Sequence, residues 1–223
     1  MTFSLVARCE RTGQFGIAIS SSSPAVAARC AHVRAGVGAV ASQNVTDPAL
    51  GPKLLDLMAA GHSAPEALVA LQGTPFLDYR QLLAVDPSGR AAVHSGPRAL
   101  GLWGHATGPG VAAGGNLLAD ALVPQVLVDA FLAADGPLGD RLMAALLAGL
   151  AAGGEAGPVH SAGLKIADRL SWPLVDLRVD WTETCPIAAL AEAWQVYRPQ
   201  MDAYVARAEN PSAAPSYGVP GDE

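Results

Sequence analysis

The chain has 223 residues, of which 51% are hydrophobic and 15% are charged, a composition that suits one well-buried domain and excludes a largely disordered protein. Its net charge of −6 argues against nucleic acid or an anionic membrane as a partner. The longest apolar run, residues 142–152, is too short to span a bilayer. Because no signal-peptide pattern begins the chain and its three cysteines suit reduced thiols, we expect a cytoplasmic protein.

Strands are predicted wherever short runs of β-branched and aromatic residues lie between turn residues. The first strand is followed by a turn at Gly13 and a second strand, and the two are expected to form a hairpin. Another hairpin is predicted across a turn at residues 87–89. In chain order the predicted strands are residues 2–8, 15–20, 36–43, 81–86, 90–96, two short strands within 100–116, 160–168 and 174–180.

Helices are predicted where apolar residues recur with a period near that of an α-helix. Asp47 followed by Pro48 is typical of a helix start, and Ser63 with Glu66 has the pattern of a capping box. Pro137 separates two apolar helices. In chain order the predicted helices are residues 47–61, 63–71, 117–134, 138–152 and 184–206.

The order of these elements predicts the fold class. Strands come in hairpins and helices come in consecutive pairs, so the two types do not alternate singly along the chain. This order is typical of an α+β protein with antiparallel sheets and separate helix layers, and it argues against a doubly wound parallel sheet. We assign residues 1–208 to one domain, and residues 209–223, rich in proline, serine, glycine and acidic residues, to a disordered C-terminal tail.

The second residue, Thr2, is a candidate catalytic group. Paired residues of a hairpin have a constant index sum, expected here to be 24 or 25, so Thr2 should lie opposite Ser22 or Ser23. If Met1 is removed, Thr2 carries a hydroxyl and a free α-amine, whose usual pKa of roughly 7.7–8.0 suits a base. An N-terminal threonine can therefore be nucleophile and base at once. The alternative is an ordinary strand residue behind a retained Met1.

Six segments of the sequence follow, in order, the pattern of a known family. They are MTFSLVAR, TGQFGIAISSSS, RAGVGAVASQN, DPALGPKLLDLMAAGHSAPEAL, GNLLA and DLRVD. Over about residues 2–206 the chain resembles the bacterial DUF1028 family, a domain of unknown function placed in the N-terminal nucleophile (Ntn) hydrolase superfamily. The resemblance implies an Ntn-hydrolase-like, four-layer αββα sandwich of two antiparallel sheets between helix layers. It also implies Thr2 as the nucleophile, while it implies no particular substrate.

Two further positions are compared with proteasome-like Ntn enzymes, which carry an acid at the end of the second strand and a lysine about sixteen residues later. This chain has Ser20 or Ser21 and Arg34 at those positions. Arg34 can lower the pKa of the nucleophile and bind a carboxylate through two hydrogen bonds, which favours an acidic substrate, but it cannot shuttle a proton. A surface ion pair is the alternative role for Arg34.

Asn116 follows two glycines at a strand end, where an accessible side-chain amide suits a donor to an oxyanion. The alternative is a helix N-cap, which asparagine also favours. Two groups of polar residues are further candidates for contacting a substrate or supporting the site, with plain strand ends as the alternative: Ser20, Ser21 and Ser22, and Ser42, Gln43 and Asn44.

The sequence carries no pattern for a metal or a cofactor. Its five histidines lack the spacing of a metal site, and neither a dinucleotide fingerprint nor a P-loop is found, so we predict no metal and no cofactor. The predicted function is an Ntn-type amide hydrolase that acts on a small-molecule amide, an acidic one being favoured by Arg34, and that forms a homo-oligomer, by default a homodimer. The alternative is a non-catalytic binding or assembly protein with the same fold and Met1 retained.

Overall fold

The N-terminal hairpin forms because two apolar segments flank a short polar turn. Strand β1 (Thr2–Arg8) pairs antiparallel with β2 (Phe15–Ser21), and both strands are almost entirely buried. The turn includes Gly13 at φ 75°, a left-handed conformation that favours glycine. The structure is a computed structural model and describes residues 1–221.

The described strands form two antiparallel sheets. Beyond β1 and β2 they are β3 (Ala31–Arg34), β4 (Gly38–Asn44), β5 (Arg80–Val85), β6 (Ala91–Ser95), β7 (Gly104–Gly108), β8 (Val111–Asn116), β9 (Ser161–Ala167) and β10 (Val175–Val179). The order is β10–β9–β2–β1–β8–β7 in the six-stranded sheet and β3–β4–β5–β6 in the four-stranded sheet. Strand β1 is therefore central, with hydrogen-bonded neighbours on both sides.

Helices cover the outer face of each sheet. The helices of the described chain are α1 (Val26–Cys30), α2 (Leu50–Ala59), α3 (Ala64–Val69), α4 (Val123–Ala133), α5 (Leu138–Ala151), α6 (Pro186–Tyr197) and α7 (Met201–Glu209), with 3₁₀ turns at Leu77–Tyr79 and Arg198–Gln200. Helices α4, α5 and α6 pack on the six-stranded sheet, and α2 and α3 pack on the four-stranded sheet. The predicted α+β class and four-layer αββα sandwich are confirmed. None of the helices described is long and apolar enough to cross a membrane.

Three apolar layers hold the sandwich together. Because successive side chains of a strand point to opposite faces, Phe3 of β1 packs under the helices while Val6 packs between the sheets, beside Ile17 of β2. A third core lies between α2, α3 and the four-stranded sheet, and it includes Leu54 and Leu82. Burial on both faces explains why β1 and β2 have near-continuous apolar sequences.

The sequence patterns predict no element between residues 22 and 35, where the structure has helix α1 and strand β3. The two elements are five and four residues long, too short for hydrophobic periodicity to indicate them. Ala25, which precedes α1, has a left-handed conformation at φ 51°. Through this helix and strand the chain passes from the six-stranded to the four-stranded sheet.

Three predicted helices have different limits in the structure. Helix α2 begins at Leu50, because Asp47 instead starts a turn in which its carboxylate accepts a backbone N–H at 3.0 Å. Helix α4 begins at Val123, because the six residues before it form a loop. The last helix is divided into α6 and α7 by a 3₁₀ turn that contains Pro199, since proline lacks the N–H that a helix interior needs.

Helix α7 ends where the predicted C-terminal tail begins. Arg207 contacts the described part of that tail, since its guanidinium donates to the carbonyl oxygens of Pro215 at 3.1 Å and Ser216 at 2.9 Å. Residues 222–223 of the predicted tail lie outside the described residues. Disorder of the tail as a whole stays a prediction.

Candidate functional site

A cluster of buried polar side chains lies between the two sheets at the N-terminal end of β1. On the six-stranded sheet Thr2 pairs with Asn116 of β8, so both residues belong to the same face of that sheet. The four-stranded sheet contributes buried glutamines from β4 and β5. We call this region the polar cleft, and its residues are Thr2, Ser4, Ser21, Gln43, Gln81 and Asn116.

The register of the β1–β2 hairpin decides which serine faces Thr2. The paired residues have an index sum of 23, which puts Thr2 opposite Ser21 when the register is extended by one pair. The predicted sums of 24 and 25, and with them Ser22 or Ser23 as the partner, are wrong. The turn closes across residues 9 and 14, whose backbone groups are bonded at 2.8 Å, so its centre lies before the expected position.

The hydroxyls of Thr2 and Ser21 lie together in the cleft. Thr2 Oγ1 is 3.4 Å from Ser21 Oγ, and both hydroxyls donate to the carbonyl oxygen of Met1. Ser21 Oγ also accepts the backbone N–H of Ser23 at 3.0 Å, which fixes its position. Thr2 is only 5% exposed and Ser21 is fully buried. A buried pair of hydroxyls thus converges on one carbonyl group.

The other two predicted serines have different roles. Ser20 pairs with Phe3 and shares its helix-facing side, where Ser20 Oγ donates to the carbonyl oxygen of Ser161 at 3.0 Å. Ser22 presents its backbone N–H to the carboxylate of Glu155. The structure therefore brings the Ser21 hydroxyl to Thr2, turns Ser20 away, and makes Ser22 a backbone donor.

Asn116 of β8 is paired with Thr2 of β1. Its side chain is buried, and Nδ2 donates to Gln81 Oε1 at 3.4 Å, which uses one of the two amide hydrogens. Within the described chain Asn116 Oδ1 has no hydrogen-bond partner. The alternative role as a helix N-cap is wrong, because β8 is followed by a loop and the cap of α4 is Leu122.

Two buried glutamines join the sheets beneath Thr2. Gln43 accepts the hydroxyl of Ser4 at 2.6 Å and donates to Gln81 Oε1 at 2.8 Å. Gln81 Nε2 lies 3.2 Å from the carbonyl oxygen of Gly115 on β8. These bonds satisfy amides that would be costly to bury unpaired. Gln43 therefore supports the cleft and is not free to bind a substrate.

The neighbours of Gln43 on β4 act outside the cleft, since alternate residues of a strand face opposite sides. Ser42 Oγ donates to the carbonyl oxygen of Asp47 at 2.8 Å and holds the turn before α2. Asn44 has a left-handed backbone at φ 75°, and its amide donates to the carbonyl oxygen of Tyr79 at 2.6 Å. Both contacts are those of a strand end.

Glu155 is a site residue that the sequence patterns do not predict. It follows α5, forms an isolated bridge with Leu118, and is only 4% exposed. Its two carboxylate oxygens accept the Ser22 N–H at 3.1 and 3.2 Å. Burial raises its pKa to about 7, opposed first by the charge of the terminal ammonium and then by the Ser22 bond. One feature of the sequence could have pointed to Glu155: between Arg141 and Lys165 it is the single residue that is Asp, Glu, Lys or Arg.

Arg34 is at the far end of the sandwich. It ends β3 opposite Gly38, the first residue of β4, whereas Gln43 of the polar cleft is near the last. Its guanidinium is bonded to the Asp56 carboxylate at 2.9 Å, and both side chains are exposed. The expectation that Arg34 lies beside Thr2 is wrong, because α1 and β3 carry the chain away from the cleft.

The polar cleft combines a hydroxyl that can act as a nucleophile, several hydrogen-bond donors and one buried carboxylate at its edge. In residues 1–221 no group of three or more histidine, cysteine, aspartate or glutamate side chains could hold a metal ion. Hydroxyl and amide donors around a threonine can polarise a carbonyl group and stabilise the negative charge that develops on its oxygen.

Comparison with known proteins adds a family to this description. A Silicibacter pomeroyi protein of known crystal structure, which matches the DUF1028 family model, is 30% identical in sequence. The match covers 88% of each chain with a TM-score of 0.81. An Anbu (Gly-1) mutant from Hyphomicrobium sp. strain MC1 is 12% identical, over 92% of this chain and 99% of that one, with a TM-score of 0.43. Anbu from Yersinia bercovieri is 12% identical, over 91% and 97%, with a TM-score of 0.36.

The comparison with curated proteins found no match. A family model described as a family of unknown function matches residues 2–190, most of the chain. Together with the Silicibacter pomeroyi structure, this match shows that the chain belongs to the DUF1028 family.

Proposed function

We propose that the chain, once it begins at Thr2, is an N-terminal nucleophile hydrolase that cleaves small amides. The observation that carries the proposal is the position of Thr2. The residue is buried, its Oγ1 lies 3.4 Å from Ser21 Oγ, and in the sheet it is paired with Asn116. A threonine that only begins a strand has no need of a second buried hydroxyl beside its own.

The reaction follows from these groups. The Thr2 α-amine accepts the proton of its own hydroxyl while Oγ1 attacks the amide carbonyl carbon. The C–N bond breaks, the leaving amine takes that proton, and an ester on Thr2 remains. Water then attacks the ester, with the α-amine again as base, and releases a carboxylic acid. The Ser21 hydroxyl and the second amide hydrogen of Asn116 are the proposed donors to the oxyanion.

The substrate of this proposal differs from the one expected from the sequence. An acidic amide was favoured only by Arg34, whose guanidinium is engaged with Asp56 away from the cleft. The buried carboxylate of Glu155 lies at the edge of the cleft, where it would repel an anion. The proposed substrate is therefore a small amide that is neutral or positively charged.

The test compares two forms of the protein on a panel of small amides. One form is proven by mass spectrometry to begin at Thr2, and the other keeps residues ahead of it. We expect activity in the first form alone, because acylation of the α-amine removes the base. Thr2→Ala should lower the rate by at least about 10³-fold, and Thr2→Ser should keep part of it. Ser20→Ala is the matched control, since that hydroxyl faces the helices.

Equal activity in the two forms would reject the mechanism. The second candidate function is that of a non-catalytic binding or assembly protein. It is favoured because the Met1 carbonyl, when Met1 is retained, accepts the hydroxyls of Thr2 and Ser21. Inactivity of both forms, with Met1 intact on protein isolated from its native cells, would support that second function.

A further inference from the structure

The first residue of the chain occupies the space where the proposed reaction would hold the acyl group of its substrate. In the chain as it stands, the Met1 acyl carbon is bonded to Thr2 N, whereas in the acylated enzyme an acyl carbon would be bonded to Thr2 Oγ1. These two atoms are attached to neighbouring carbons of one residue, so the two acyl positions differ by only about 3 Å. Met1 is therefore a stand-in for a substrate acyl group, an inference that rests on the proposed function.

The carbonyl group of Met1 is bonded to the Ser21 hydroxyl, one of the two proposed oxyanion donors. Its oxygen accepts hydrogen bonds from both Thr2 Oγ1 and Ser21 Oγ. An ester carbonyl on Thr2 Oγ1 would lie within reach of the same Ser21 hydroxyl. The cleft is thus built to hold an acyl oxygen at this point.

The ammonium group of Met1 interacts electrostatically with Glu155. Extension of the β1–β2 register puts Met1 opposite Ser22, whose N–H donates to Glu155 at 3.1 and 3.2 Å. The carboxylate of Glu155 is buried, and the terminal ammonium is the strongest charge that favours its ionised form. A buried carboxylate beside an acyl site selects a positive group on the acyl moiety.

The side chain of Met1 ends near Gly157, a lining residue of an apolar cavity. A Cβ atom built on Gly157 would lie 3.8 Å from Met1 Cε, and Gly157 lines a cavity of about 420 Å³. Glu155 lines the same cavity, which joins the charged and apolar parts of the site. The other lining residues include Leu150, Pro158, Val159, Cys185 and Glu183.

We propose that the substrate is an amide of an apolar amino acid with a free α-ammonium group, which Glu155 binds while the cavity holds the side chain. Thr2 Oγ1 attacks the aminoacyl carbonyl, the C–N bond breaks, and the leaving amine takes the hydroxyl proton. Water then cleaves the aminoacyl ester and releases the free amino acid. A bound ammonium close to the Thr2 α-amine also disfavours protonation of that amine, which keeps it available as a base.

The experiment uses protein that begins at Thr2 and three amides: L-methionine amide, N-acetyl-L-methionine amide and glycinamide. We expect kcat/KM for L-methionine amide to exceed that for the acetylated amide, which lacks the charge, by at least about tenfold. Glycinamide, which lacks the side chain, should fall behind by about tenfold or more. Glu155→Gln should abolish the preference over the acetylated amide. Glu192→Gln, the same charge change at an exposed position of α6 outside the cavity, should keep it.

A binding measurement separates this inference from the proposed function. The affinity for L-methionine amide is measured by calorimetry with Thr2→Ala protein that begins at residue 2. This affinity should be at least about tenfold higher than that of the Thr2→Ala, Glu155→Gln double variant. If L-methionine amide binds in this way but protein that begins at Thr2 cleaves no amide, the proposed hydrolase function is wrong and the proposed binding site stands. The proposed binding site is wrong if the acetylated amide is cleaved as fast as L-methionine amide. It is also wrong if the affinity for L-methionine amide is the same with and without the Glu155 carboxylate.

Discussion

Replacement of Glu155 by glutamine, in protein that retains Met1, should stabilise the fold at alkaline pH and leave its stability in acid nearly unchanged. Glutamine keeps an oxygen that can accept the Ser22 N–H but carries no charge to bury. Burial raises the Glu155 pKa from its ordinary 4.5 to about 7, so the folded protein binds this proton more tightly than the unfolded chain does. Below pH 4.5 both states are protonated and no penalty arises.

The magnitude follows from the two pKa values. Between pH 4.5 and about 7 the unfolded chain ionises while the folded protein stays protonated, so wild-type stability falls as the pH rises. Each pKa unit corresponds to about 1.4 kcal/mol, which gives a full penalty of about 3 kcal/mol above pH 7. The glutamine variant escapes this penalty, and its advantage over the wild type should therefore grow by about that amount across the interval.

The assay is urea unfolding of both proteins at half-unit steps between pH 4 and pH 8, with Met1 verified by mass spectrometry. Glu183→Gln is the control, because that carboxylate is largely exposed and changes the net charge equally. A difference between wild type and Glu155→Gln that stays flat with pH, or one that grows as the pH falls, would refute the reasoning.

Three further changes test the packing around the cleft and its surroundings, each measured by urea unfolding. Gln81→Leu removes the acceptor of the Gln43 and Asn116 amides and should destabilise the fold by about 2–4 kcal/mol, where a loss below about 1 kcal/mol would mean that these buried bonds matter little. Gly51→Ala would put a Cβ 2.1 Å from the His32 ring and should cost about 1–3 kcal/mol, unless α2 can shift freely. Arg34→Ala breaks an exposed ion pair and should cost less than about 1 kcal/mol, with no effect on any amidase activity.

The parts of the fold that the sequence predicts are those whose signals are local. Alternation, apolar content and a glycine turn indicate the β1–β2 hairpin, and the Ser63–Glu66 capping box is confirmed by bonds in both directions. The order of hairpins and helix pairs is enough to predict the layers. A hairpin turn that closes one residue early is also a local matter, yet it changes the partner of Thr2 from Ser22 or Ser23 to Ser21.

The parts that the sequence does not predict depend on contacts between residues that are far apart in the sequence. Glu155 reaches the cleft because residues 153–156 pair with the loop after β8, a contact that no spacing indicates. The error at Arg34 has a similar origin, since a spacing taken from other enzymes ignores the short helix and strand that reverse the chain before it. Asn116 is predictable because two glycines and a strand end mark its position.

The glutamine pair has a mechanical consequence for the sandwich. If the four-stranded sheet slid by one residue pair along the six-stranded sheet, towards Val6 and Ala112, the cross-sheet bonds of Gln43 to Ser4 and of Gln81 to Gly115 would break. Several buried amide groups would then be unpaired, at about 1–3 kcal/mol each. These bonds therefore oppose sliding of one sheet over the other at the end of the sandwich where Thr2 lies.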